Sequence, residues 1–470
     1  MVALRLLAAV ATLGALLFLP LTGMPAPAPP DLPPVLPWLA RPGAAAMLRL
    51  FHAVDPPPAV HAAAVLLLHA AACLLFAQLM SRLFPLRAAL IAGLIYALHP
   101  LQAETLAVTA TAAALPGIVL LLAALHLHLD GRKRAALIVA LLAVLFEPAA
   151  AVIPPVFLLV ARATPLARSL VGVSAAGGAV WLAAFVASRA EAAASWPWLG
   201  VFTLRSLFVF FFPLGLTPWP DLHAAPWQAA MAALAVAAAV WAAMVGARRT
   251  AAGAWMLAAM VLLMSVYFLP AETGRPLMAL PLLALAPSAA LALEQVDVRL
   301  TAIYIAVLAL LSFTYARQWR DPVALWMEAV RLAPDRVEPQ LALAPLLPPA
   351  QALELLVEAR RKWPRDSRVA VETGHAFLRG GRPREAMAEF DDALAASPRN
   401  AAALAGRAAA WLALGEADAA HEEVRRALAL APCSVSARGM AVRLGEVLPD
   451  ARCAFTRAQQ RALAEAIWRR

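Results

Sequence analysis

Long apolar runs separated by short polar breaks occupy the chain as far as residue 316. Each run is near the ~20 residues that a helix needs to cross a bilayer once its flanks are included. The pattern predicts apolar helices at about 4–19, 59–81, 88–98, 104–127, 135–147, 149–161, 169–187, 199–216, 226–246, 252–268, 276–293 and 300–315. Beyond them the charged residues lie on short amphipathic segments, which indicates a second domain of different character.

The boundary between the two patterns is the segment 317–321, Arg-Gln-Trp-Arg-Asp. An indole flanked by charges is typical of a membrane–water interface. Directly after it, Leu325 and Ala329 share one side of a predicted helix that ends at Leu332. The predicted domains are a membrane domain over 1–316, with a first outer loop at 24–57, and a second domain over 317–470.

Composition agrees with a polytopic membrane protein. The chain is 63% hydrophobic and 14% charged, whereas a soluble domain carries about 25% charged residues. The net charge of +10 does not indicate nucleic-acid binding, because many of the arginines lie in short loops between apolar runs. That is where the positive-inside rule places basic residues.

The same rule gives a topology. With a cytoplasmic N-terminus, and with 199–216 re-entrant or lying flat, most basic loop residues of the membrane domain fall on the cytoplasmic side. We therefore expect eleven crossings in a bacterial inner membrane and a periplasmic second domain. For 4–19 we favour a retained first helix over a cleaved signal peptide, since Pro29 would follow the weak cleavage cue at 26–28.

A repeat organises the second domain. Pro364, Pro398 and Pro432 are spaced by 34 residues, the period of tetratricopeptide (TPR) repeats. Small or aromatic residues occupy the expected positions between these prolines, among them Gly374, Phe377, Ala386, Phe390 and Ala393, and again Trp411, Ala420 and Ala427. The predicted fold is all-α, a polytopic helix domain followed by a TPR superhelix with repeats at about 333–366, 367–400 and 401–434 and capping helices within 436–468.

Two features of the repeats bear on their use. Pro345, Pro348 and Pro349 interrupt the first helix of the repeat at 333–366. Phe377 and Trp411 occupy the same position in consecutive repeats, and they are the candidate partner-binding residues for a protein or peptide ligand.

Carboxylates and arginines gather on the predicted outer side of the membrane. They are Asp31, Asp55, Glu104, Glu147, Asp221 and Glu272, with Arg189, Arg205 and Arg275. A carboxylate can act as general base toward a hydroxyl acceptor, while arginine binds the phosphate of a lipid-linked donor. The alternative is that Glu104 and Glu147 are helix caps or interfacial charges and that Asp31 is merely solvated.

Metal and soluble-cofactor sites are not predicted. His126 and His128 point to different faces of one helix, while His61 and His69 suit helix packing. The chain has no zinc motif and no nucleotide-binding loop. Spacing alone leaves open whether Cys433 and Cys453 form a disulfide.

Five short stretches carry a resemblance to a known family. They are Tyr96–Glu104 (YALHPLQAE), Leu145–Pro148 (LFEP), Phe211–Leu216 (FFPLGL), Ala271–Arg275 (AETGR), and Arg317–Asp321 (RQWRD) with Leu325-Trp326. Together with the repeats, they resemble the transmembrane-and-TPR O-mannosyltransferase-like group of the GT-C glycosyltransferase superfamily and its bacterial relatives. The resemblance implies an outer-side active site, a polyprenyl-phosphate sugar as donor and a protein Ser or Thr as acceptor. It also places His99, Glu147, Glu272 and Arg275 among the substrate-binding residues.

The chain departs from the family pattern in its polar positions. The family has adjacent acidic residues in its first outer loop, whereas this loop has Asp31 among prolines. Two hypotheses follow. In the first, the protein transfers a sugar from a polyprenyl-phosphate donor, with Asp31 as general base, Glu104 as an orienting or acid/base group, and Arg189, Arg205 or Arg275 binding the phosphate. In the second, it is a non-catalytic, membrane-anchored TPR scaffold for envelope proteins.

Overall fold

The computed structural model describes residues 2–18, 58–107, 114–146, 199–216, 225–247 and 279–446, with residue 448 and short pieces of 255–263. These residues form helices and turns without a β-strand, which confirms the all-α prediction for this part of the chain. In chain order the helices are α1 (Val2–Leu17), α2 (Pro58–Leu83), α3 (Leu86–Leu98), α4 (Leu101–Ala107), α5 (Leu115–Leu129), α6 (Lys133–Phe146), α7 (Leu199–Phe211), α8 (Pro226–Ala247), α9 (Ala279–Leu293), α10 (Val298–Gln318), α11 (Pro322–Leu332), α12 (Val337–Leu343), α13 (Pro349–Lys362), α14 (Ser367–Arg379), α15 (Pro383–Ala396), α16 (Ala401–Ala413), α17 (Ala417–Leu430) and α18 (Val435–Leu444).

The chain divides into two compact units. One comprises Met1–Pro218 and Leu222–Arg320, and we call it the apolar unit. The other comprises Trp219–Asp221 and Asp321–Arg470, and we call it the repeat unit.

Three described helices are long and apolar enough to cross a membrane. They are Val60–Leu83 in α2, Pro226–Gly246 in α8 and Val298–Gln318, which is α10. Helices α3 and α4 pass the same test as a pair and would make a fourth span. The predicted run at 104–127 is divided here, since α4 ends at Ala107 and α5 begins at Leu115. The total of eleven crossings stays a prediction.

Helix α3 is the centre of the apolar unit. It packs against α1, α2, α9 and α10, and its residues from Ile91 to Leu98 are nearly all buried. Small residues permit this packing: a Cβ added at Gly93 would lie 3.0 Å from the Cβ of Ala77 on α2. Helix α10 is one-sided, with Leu300, Ile303 and Leu310 exposed and Thr301 and Ser312 buried toward the unit. Such an exposed apolar stripe suits contact with lipid.

Helix pairs in the repeat unit recur with the 34-residue spacing of the prolines. Helices α14 and α15 are joined by three residues, as are α16 and α17, and the second pair begins 34 residues after the first. The small residues at two repeat positions are fully buried, namely Ala352, Ala386 and Ala420, and Ala359, Ala393 and Ala427. Side chains cap the helix starts at the same period: Asp366, Asn400 and Ser434 accept backbone N–H groups.

Phe390 joins neighbouring helix pairs. Its ring is fully buried between α14 and α16. A Cβ at Gly374 would lie 2.7 Å from this ring, and one at Gly406 would also overlap it. Glycine at these two positions therefore leaves the volume that the phenylalanine occupies.

The beginning of the array agrees with the sequence prediction in α12 and goes beyond it in α11. Helix α12 ends at Leu343 and continues as a 3₁₀ turn over Ala344–Leu346, as the predicted proline interruption requires. Helix α11 already has the second-helix pattern, which the sequence analysis missed. Its Ala329 is fully buried five residues before Pro334, just as Ala359 precedes Pro364.

Candidate functional site

A bend in the centre of the apolar unit collects buried polar side chains. Helices α3 and α4 meet at an angle of 50° across His99 and Pro100. The residue before a proline is disfavoured in the α conformation, and His99 is extended, with φ −73° and ψ 133°. Leu98 therefore ends α3, and backbone groups near the bend lack their usual helical partners.

His99 satisfies one of these backbone groups and a second one at the end of α7. Its Nδ1 accepts the Leu101 N–H at 3.2 Å, and its Nε2 lies 2.9 Å from the carbonyl oxygen of Phe210 on α7. A carbonyl only accepts, so Nε2 donates and the ring is the neutral Nε2–H tautomer. The ring also stacks on Phe210, with centroids 5.0 Å apart. Because both nitrogens contact backbone, His99 positions α4 and α7 and leaves no nitrogen for a substrate proton.

Two further polar side chains complete the bend. The Gln102 Nε2 donates to the Tyr96 carbonyl at 3.1 Å, and the Ser312 hydroxyl of α10 donates to the Leu98 carbonyl. The carbonyls at the end of α3 are thereby satisfied from α4 and from α10, which lies more than two hundred residues later in the sequence. Gln102 and Ser312 were not predicted as site residues. The signal that could have identified Ser312 is a polar residue inside an apolar run.

Glu104 and Thr105 are the remaining polar residues of α4. Glu104 is 6% exposed and Thr105 is 2% exposed. Helix α4 packs against α2, α9 and α10, so the carboxyl group lies among apolar helices. An ionisable group in such surroundings is a functional-site candidate, since a buried carboxylate is costly to retain without a role. A carboxyl group here can take or give a proton, or orient a bound hydroxyl or cation.

Arg205 is the third predicted site residue in the described part of the apolar unit, after His99 and Glu104. It lies half-buried on α7, five residues before Phe210, whose carbonyl contacts His99. The bend therefore links the helices that carry Glu104 and Arg205. The other predicted site residues of the membrane domain lie outside the described residues: Asp31, Glu147, Arg189, Glu272 and Arg275.

Both predicted partner-binding aromatics lie partly within helix-pair packing. Phe377 is half-buried against the cluster around Phe390, and the Arg382 guanidinium stacks on its ring at 4.6 Å. Trp411 is half-buried against the cluster of α16, α17 and α18 that includes Val424. Each ring therefore has a packing role in its own pair of helices.

Within the described ranges, no group of three or more His, Cys, Asp or Glu side chains is placed to hold a metal ion.

Comparisons with known proteins give no family. No family model matches the chain, and no curated protein matches it. Among solved structures, the crystal structure of yeast Tom70 matches with 16% identity over 84% of this chain and 90% of that chain. Its TM-score is 0.24, and a likeness at this level supports no conclusion about fold or function.

Proposed function

We propose that this protein is a membrane-integral transferase with a protein-binding repeat unit. The apolar unit would move a sugar from a polyprenyl-phosphate donor to an acceptor on the outer side of a bacterial inner membrane. The repeat unit would bind the acceptor protein or a partner. The observation that carries this proposal is Glu104, which is 6% exposed at a bend in the apolar unit.

A membrane anchor does not need a polar bend. A single apolar helix suffices to hold a scaffold in a bilayer. A bent, polar segment with a buried carboxyl group lowers the stability of the membrane domain. Its presence therefore indicates that the group has a function. The polar bend at the centre of the apolar unit therefore favours a chemical role.

The chemistry needs few groups because the donor is already activated. The acceptor oxygen forms a bond to the anomeric carbon while the bond from that carbon to the phosphate oxygen breaks. The acceptor proton passes to a carboxylate, for which we propose Asp31, while Glu104 orients the reacting groups or shares in proton transfer. Arg205, with Arg189 and Arg275, would neutralise the departing lipid phosphate, so that no metal is required.

A glycan profile of cells lacking this protein tests the proposal. The profile of envelope proteins and lipids is compared after rescue with the wild type, Asp31→Asn or Glu104→Gln at matched membrane levels. Glu358→Gln is the control, since this carboxylate is exposed in the repeat unit. We expect one modification to disappear and to return with the wild type and the control only. An unchanged profile, or full rescue by both site variants, would overturn the transferase proposal.

A scaffold without catalysis is the second candidate, and one observation favours it. His99, Gln102 and Ser312 all bond to backbone groups, so most of the polar bend is explained by the fold itself. If the scaffold is correct, envelope proteins are lost from complexes in the deletion strain while their glycans stay the same. Rescue would then depend on the repeat unit and would survive Glu104→Gln.

A further inference from the structure

One helix face in the repeat unit differs in chemistry from the equivalent face of its neighbour. Arg368, Glu372, His375 and Arg379 recur at helical spacing along α14, and we call them the α14 strip. The residues 34 positions later on α16 are Ala402, Gly406, Ala409 and Ala413. A strip of titratable groups therefore lies next to a strip of small, uncharged residues.

Most charges of this region are already paired. Arg368 contacts Asp366 at 2.7 Å and Glu338 of α12 at 3.8 Å. Glu338 also pairs with Arg336 at 3.1 Å. Arg379 donates to the Ala344 carbonyl at 3.1 Å, which covers the end of the shortened first helix. These contacts hold the two guanidiniums of the strip in place.

Glu372 is different. It is half-buried, and among the described residues it has neither a hydrogen bond nor an ion pair, although the Arg379 charge lies close enough to act on it. Burial raises the pKa of its carboxyl group, and Arg379 only partly opposes that rise. A carboxylate that is partly desolvated and unpaired gains most from a donor that carries a positive charge.

His375 lies one turn from Glu372 on the same side of α14. Its ring meets the Phe390 ring edge-on at 5.3 Å, which fixes its plane. Burial and Arg379 lower the pKa of His375 to about 4, so the imidazole is neutral at physiological pH. A neutral imidazole offers one acceptor nitrogen beside the carboxylate and adds no repulsion toward a cation.

We propose that Glu372 and His375 form a recognition site for a lysine or arginine side chain of a protein segment. The segment would lie across α14 and α16, where Ala402, Ala409 and Ala413 leave room for its neighbouring residues. This inference rests on the proposed protein-binding role of the repeat unit and names the chemistry of its partner.

The affinity of peptide pools for the full-length protein in nanodiscs tests this site. Each pool contains short peptides of mixed sequence with one central position fixed as Arg, Lys, Gln, Glu or Ala. Because a charge-assisted contact is strong, we expect the Arg and Lys pools to bind roughly fivefold more tightly than the Gln pool. Glu372→Gln should remove this preference and His375→Asn should weaken it.

Glu358→Gln is the matched control, because it makes the same chemical change at an exposed site on α13 that pairs with Arg361. It should keep the preference for Arg and Lys. Hydrogen exchange of α14 checks that the variants fold. The proposed site is wrong if all pools bind equally, if the Glu pool binds best, or if Glu372→Gln keeps the preference for Arg and Lys. In each of these cases the repeat unit still binds peptides, so its proposed role is retained. If no pool binds the wild type, both the site and the proposed role of the repeat unit are wrong.

Discussion

The bend at His99 and the α14 strip place polar groups in opposite situations. At the bend, most polar side chains bond to backbone groups that the helix break has left without partners. On α14, the two arginines contact groups outside the strip, Arg368 the carboxylates of Asp366 and Glu338 and Arg379 the Ala344 carbonyl, while Glu372 remains available. A buried polar side chain at the bend is therefore best explained by the fold, whereas a half-buried polar side chain without a partner, such as Glu372, is a candidate for binding.

The largest effect that we expect is a loss of stability when the packing residue Phe390 of the repeat unit is replaced. Phe390→Ala removes a fully buried ring that two helix pairs share, and we expect a loss of about 3–5 kcal/mol in unfolding free energy. Phe377→Ala is the comparison, since this ring is half-buried and should cause a smaller loss. Hydrogen exchange of α14 to α16 in the full-length protein measures both. Equal protection in Phe390→Ala and the wild type would contradict the packing account.

The next effect concerns the bend. His99→Ala leaves the Leu101 N–H and the Phe210 carbonyl without their partners, which should cost about 1–3 kcal/mol. His126→Ala is a suitable control because the ring of this half-buried histidine makes one hydrogen bond within the described residues, at 2.9 Å to the Leu75 carbonyl. Thermal unfolding in nanodiscs compares the two. A larger loss for His126→Ala would show that His99 does not hold the bend together.

The smallest effect is a dependence on pH, and its sign differs between Glu372 and His375. The lowered pKa of His375 means that its contribution to stability is full above 6.5 and is lost as the pH falls toward about 4. The raised pKa of Glu372 acts oppositely, since its contribution is present at low pH and is lost as the pH rises through that pKa. His375→Asn should therefore flatten the acid-side loss of stability, and Glu372→Gln should steepen it. Hydrogen exchange of α14 at several pH values measures both slopes, and identical slopes would refute the burial of these groups.

The repeat unit was largely predictable because its signals are local. The prolines fix the period, and residues such as Ala393 and Ala427 are small where two helices touch. The prolines after Leu343 also indicated that α12 would be short, but helical spacing did not reveal that α11 would already follow the second-helix pattern. Glu372 was not singled out, since a charged residue on an amphipathic helix is ordinary until its partners are known.

The apolar unit was less predictable because its decisive contacts are distant in sequence. Hydropathy separated the runs at 88–98 and 104–127, but the structure pairs α3 with the short α4 across Pro100. What stabilises that bend is a serine on α10 and a carbonyl on α7, and neither contact is visible in a local pattern. Glu104 was identified from its motif, and the structure adds its burial.

The central claim is that Glu104 serves chemistry while the other polar groups of the bend hold the fold. The most direct test is the amount of glycan restored per folded molecule by Glu104→Gln and by Ser312→Ala in cells lacking the protein. We predict that Glu104→Gln folds like the wild type and restores no glycan, because Gln keeps the size of the side chain but cannot ionise and so cannot act as an acid or base. Ser312→Ala should yield less folded protein but normal activity per molecule. If both variants restore glycan in proportion to folded protein, Glu104 has no chemical role and the central claim is wrong.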